Sequence, residues 1–187
     1  MVMLNEVLEC LCGRLDAALQ AAEAREDPWV VLSNLVEADG SPPAGLDNRV
    51  VVSLVSLQTI PGGSIPFERP GDVRWQVAAP PLYLDAYVVV AANFSGTNYR
   101  TGLAMMSRAI SFFQEKPIFT RSDTPELPDD VEKLVVEFVS LDFPAAAVLL
   151  PAALRAMPFA LYRLRPLAFV QAQIARAPPI RAQHPLR

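Results

Sequence analysis

The chain has 187 residues, 52% hydrophobic and 19% charged, with a formal net charge of −4. This length suits one domain with a short tail, and no apolar run reaches the roughly 18 residues a membrane-spanning helix needs. One histidine and two cysteines are too few for a zinc site, and a charged fraction below the roughly 25% usual in soluble domains leaves apolar surface for partners to cover.

Leu4, Val7, Leu8, Leu11, Leu15, Ala18, Leu19 and Ala22 recur at three- and four-residue spacing, which predicts a helix over residues 3–24 with one apolar stripe. Glu6, Glu9 and Asp16 break up the leucines, and no basic region or cleavage site is visible, so the segment is not read as a secretion signal. Cys10 and Cys12 fall two apart on this helix and point to different faces, where a mutual disulfide has the wrong geometry; they suit a reducing compartment. After Pro28, residues 29–36 are rich in β-branched and large side chains and read as a first strand that ends at Asp39-Gly40. Residues 41–45 form a turn, and residues 48–57 a second, largely buried strand carrying Val50, Val52 and Leu54.

Residues 61–81 contain five prolines and three glycines, with Phe67, Val73 and Trp75 as the main apolar anchors. They read as a long contact loop, with an unstructured insertion as the competing explanation. Residues 83–92 have strand propensity throughout, interrupted by Asp85 as either an edge charge or a partnered buried carboxylate. The following turn offers Thr97 or Asn98 as the N-cap of a helix over residues 98–115, on which Tyr99, Leu103, Met106, Ile110 and Phe113 align. A narrow stripe buries only one of the adjacent Phe112 and Phe113, leaving Phe112 for another layer or a partner.

Lys116-Pro117 stops that helix, residues 122–130 are polar loop, and residues 133–141 form a fourth strand. Pro144 opens a short helix that Pro151 kinks or divides before Arg155. Residues 160–165 alternate apolar and polar side chains, placing Arg163 and Arg165 on one face of a fifth strand that extends past Pro166 to Phe169. Residues 171–187 are a basic, Pro/Ala-rich tail with too little apolar material for a core, ordered only on a partner. The fold class is α+β: a mixed, mainly antiparallel sheet of about five strands with two main helices, in one domain over residues 1–170.

Charge is divided along the chain. Residues 1–142 carry 10 Lys+Arg against 20 Asp+Glu, whereas residues 143–187 carry six arginines and no acid. Arg163, Arg165, Arg176 and Arg181 are therefore candidates for an acidic partner surface or phosphate, and Phe67, Trp75 and Phe112 for apolar contact. Chemistry has little support. No Gly-x-Ser-x-Gly elbow, phosphate loop or dinucleotide motif occurs, and Asp85 and Glu137 are lone carboxylates, so no catalytic residue, cofactor or metal is assigned. The tyrosines lack the interleaved basic residues of a nucleic-acid platform. Two rival readings stay open: a small enzyme with a carboxylate-based site, and a nucleic-acid module using its arginine-rich tail.

Five phrases lie in order along residues 4–170: Val50-Val-Val-Ser-Leu-Val-Ser-Leu57, Pro80-Pro-Leu-Tyr-Leu84, Tyr99-Arg-Thr-Gly-Leu103, Ile110-Ser-Phe-Phe-Gln-Glu-Lys-Pro-Ile-Phe119 and Met157-Pro-Phe-Ala-Leu-Tyr-Arg-Leu-Arg165. With the element order they resemble the N-terminal domain of the cap protein of Photorhabdus-virulence-cassette-type contractile injection systems. The tryptophan and glycine usual in that family before the last strand are missing from Leu149-Leu-Pro-Ala-Ala-Leu154. The resemblance implies a phage tail-terminator-like fold and a non-enzymatic cap: a ring of six copies on the inner tube and sheath, at the end far from the baseplate. It also implies assembly in the bacterial cytoplasm, incorporation into a phage tail-like particle, and no membrane or cofactor.

Overall fold

A computed structural model describes residues 2–41, 43–60, 82–142 and 157–169. Helix α1, Leu4–Ala22, buries Val7, Leu8, Cys10, Leu11, Cys12, Leu15 and Leu19. At about 100° per residue these side chains sweep an arc of about 200°, with the two cysteines at its opposite edges. Both thiols are free and buried, and burial pushes the Cys12 pKa up to about 12. Beyond α1 the Trp29 indole donates to the Glu23 carbonyl at 2.7 Å, and the Arg25 guanidinium lies 4.5 Å over the Trp29 ring.

Strand β1 is short, Val30–Leu32, rather than spanning residues 29–36. Its ladder ends where Ser33 donates to the Val52 carbonyl, and the chain then brings Leu35 onto the opposite sheet face. Asn48, at φ 56°, leads into β2, Arg49–Thr59, which runs parallel to β1 with Val30 opposite Val50. Strand β3, Leu82–Asn93, returns antiparallel to β2, in which Val55 is bulged between Leu54 and Ser56.

Helix α2, Tyr99–Glu115, follows a 3-10 turn at Gly96–Asn98. Asn98 occupies the N-cap position but makes no side-chain cap; its amide donates to the Asn48 side chain at 2.9 Å, tying two turns together. The buried face of α2 is also rotated from the predicted one. Gly102, Met105, Met106, Ala109 and Phe113 are buried, whereas Tyr99, Leu103 and Ile110 are exposed. The cause is close approach at small residues: a Cβ added to Gly102 would sit 2.7 Å from Phe94 Cβ.

Pro117 begins an unpredicted strand, β4, Ile118–Thr120, which buries Phe119 completely and pairs with β5, Lys133–Val139. Strand β6, Phe159–Phe169, continues through Pro166 and pairs with both β3 and β5. The sheet therefore has six strands, in the order β1-β2-β3-β6-β5-β4, mixed only at the parallel β1–β2 pair. Both helices contribute to the main core cluster on one face; Leu35, Leu46, Val51, Val89, Ala91 and Leu161 form a smaller cluster on the other. The predicted short helix over residues 144–155 lies outside the described residues. Among the described residues no helix is long and apolar enough to cross a membrane.

Candidate functional site

Alternation along β6 puts Tyr162 and Leu164 into the main core and turns Arg163 and Arg165 to the opposite face. The register sets Arg163 between Tyr87 on β3 and Glu137 on β5. Arg163 Nε donates to Glu137 Oε2 at 3.1 Å, and Arg165 Nη2 to Oε1 at 2.7 Å, so one carboxylate holds two guanidinium groups. The bonded Arg163, aided by Arg165, holds the Glu137 carboxyl below its ordinary pKa. This is opposite to the shift a general acid needs, and Glu137 is held as an ion-pair partner of both arginines.

Asp85 is the partnered buried carboxylate of the two alternatives. It lies on the central strand β3, 8% exposed, with Oδ2 3.9 Å from Arg163 Nη1. Its Oδ1 has no hydrogen-bond partner among the described residues.

The helix side of the sheet carries a different surface. Between α2 and β5 runs a groove of about 500 Å³ lined by Ile110, Phe113, Gln114, Pro117, Val136, Glu137, Phe138 and Tyr162. Phe138 is 58% exposed and meets the Tyr162 ring edge-on at 5.6 Å. The Tyr162 hydroxyl is buried without a hydrogen-bond partner among the described residues, and burial pushes its pKa up to about 12. Such a groove offers apolar contact. Phe112, on the neighbouring flank of α2, is half-buried against Phe113 and Phe119.

Of the residues read from the sequence as contact candidates, Arg163 and Arg165 share one cluster and Phe112 sits apart from it on the other face. Phe67, Trp75, Arg176 and Arg181 lie outside the described residues. Sequence reading missed Phe138 and Ile110 because both fall at positions whose spacing predicts burial. Their exposure follows from how far α2 reaches across the sheet, which no local pattern encodes.

The sequence pattern of the Pvc16 N-terminal domain matches residues 6–182. The chain belongs to that family. The Pvc16-type match runs through both faces just described and on through residue 182, into the segment read as a basic tail. Among solved structures, the chain is similar to the PVC sheath/tube terminator of an extracellular contractile injection system, seen by cryo-EM in its extended state. That similarity has a TM-score of 0.55 at 12% identity, covering 100% of this chain and 64% of the terminator chain. It shows a shared fold, a tail-terminator-like α+β domain, and this chain spans less than two thirds of the terminator's length. No curated protein matches.

Proposed function

We propose that this chain is a structural component of a contractile injection system, a cap that closes the tail end far from the baseplate. The observation that carries this reading is the Pvc16 N-terminal domain match over residues 6–182, supported by a sheath/tube terminator of the same fold. Six copies form a ring on the inner tube and sheath, assembled in the bacterial cytoplasm and then carried on the finished particle. No chemistry is needed: a cap binds where another layer would add, and its own growth must close into a ring. The half-exposed Arg163 and Arg165, Phe112, and the undescribed Phe67, Trp75, Arg176 and Arg181 are the proposed contacts. Locking of Glu137 by two arginines favours this reading over a carboxylate enzyme.

The test is deletion of the gene in a particle-producing strain, with tail length measured by electron microscopy. Tails of uncontrolled length, or tails lacking sheath attachment, are expected. Normally terminated tails of unchanged length would overturn the cap reading.

A further inference from the structure

We infer that neighbouring copies join head to tail by continuing one sheet into the next, the open edge of β2 in one copy docking against the open edge of β5 in the other. The inference rests on the ring reading above and names the surfaces that make the ring.

Strand β1 covers β2 only from Val50 to Val52, so among the described residues the outer edge of β2 from Ser53 to Thr59 has no strand beside it. Strand β4 covers β5 only from Lys133 to Val135, and its last bond is from the Val136 amide to the Pro117 carbonyl, leaving Glu137–Val139 equally open among the described residues. Unpaired edges are normally guarded by lysine, proline or an inward charge. Residues 53–59 read Ser-Leu-Val-Ser-Leu-Gln-Thr, with no charge and no proline. In the open stretch of β5, residues 137–139, the one charge, Glu137, pairs with Arg163 and Arg165 on the far face.

The exposed apolar side chains at the two edges also match. Leu57, 40% exposed, lies opposite Ala86, and Phe138 lies opposite Tyr162; both Ala86 and Tyr162 belong to the main core. Leu57 and Phe138 therefore stand on the same sheet face, and a sheet continued across copies keeps them together. The groove beside Phe138 has room for an aliphatic side chain from the arriving strand. Because the two edges are different surfaces at opposite ends of one sheet, the contact is heterologous and propagates around a ring.

The test uses the full chain carrying Leu57→Cys and Phe138→Cys, purified in assembled particles and oxidised. Cys10 and Cys12 are buried and contribute little background. A ladder of covalent oligomers from the double variant, with none from either single variant, is the expected result. Capped particles without any ladder would overturn the edge assignment while leaving the cap reading standing. Dimers from Phe138→Cys alone would overturn it in favour of a two-fold contact. If deletion of the gene leaves tails unchanged, the cap reading fails and the proposal falls with it. As a second measurement, Leu57→Glu and Phe138→Lys are each expected to lower recovery of capped particles at least tenfold, and the paired variant to restore part of it; circular dichroism of each variant checks that it folds. Equal loss in singles and pair would overturn the contact.

Discussion

Glu137 and Arg163 face each other across β5 and β6, joined by two hydrogen bonds to one carboxylate oxygen while Arg165 takes the other oxygen. Because this pairing depresses the Glu137 pKa, the stability it adds is fully present above the ordinary carboxylate value of 4.5 and is lost as pH falls through the lower folded value. The side chains are about one-third exposed, so solvent screening holds the contribution to about 1 kcal/mol. Glu137→Gln is expected to lower stability by that amount at pH 7 in urea unfolding, with the gap to the parent closing below the ordinary carboxylate pKa. A gap independent of pH would mean that packing, not charge, holds these strands.

Gly102 illustrates how one missing atom positions a helix. An added Cβ would lie 2.7 Å from Phe94 Cβ and 2.8 Å from Cγ, and Phe94 is itself buried and stacked 6.2 Å from Trp29. Alanine gains about 1 kcal/mol of helix propensity over glycine, but overpacking a core costs about 1–3 kcal/mol. Gly102→Ala is therefore expected to destabilise, lowering the melting temperature by several degrees. A neutral or stabilised variant would show that α2 can lift from Phe94 without penalty.

A buried phenol without a partner makes a prediction of the opposite sign. Tyr162 packs on Phe113 at 4.8 Å and on Phe138, while its hydroxyl finds no acceptor among the described residues. Leaving such a group unsatisfied costs about 1–3 kcal/mol, so Tyr162→Phe is expected to match or exceed the parent in thermal stability. Ultraviolet titration of the variant should also lose one phenol ionising near pH 12. A clear loss of stability would reveal an acceptor for the hydroxyl.

Strong periodicity made much of this fold legible. The β2, β3, β5 and β6 strands and both helices were readable to within two residues because their apolar spacing runs for seven residues or more. Strand β4, three residues long, offers no period to read, and only its partner defines it. The phase of α2 was misread because Gly102 and Ala109, which sit at the closest contact, count for little in a reading that follows large side chains. The Glu137–Arg163–Arg165 cluster is invisible to local reasoning for another reason: it depends on a register between strands 26 residues apart.

The last prediction concerns Asp16, where helix α1 holds the edge strand in place. Its Oδ1 accepts the Val30 amide at 2.9 Å, and Val30 begins a strand with only three paired residues. So short a ladder adds little cooperativity of its own, so this bond and the Ser33-to-Val52 bond fix both ends of β1. Asp16→Ala leaves a buried amide without its acceptor and is expected to cost about 1–2 kcal/mol, whereas Asp16→Asn retains an acceptor oxygen and recovers most of it. Hydrogen exchange distinguishes local from global loosening. Amides of β1 should exchange faster in Asp16→Ala while those at the centre of β3 keep their rank, because β3 is paired on both sides. Uniform acceleration across both strands would mean that Asp16 stabilises the whole domain rather than its edge, and that β1 does not open independently.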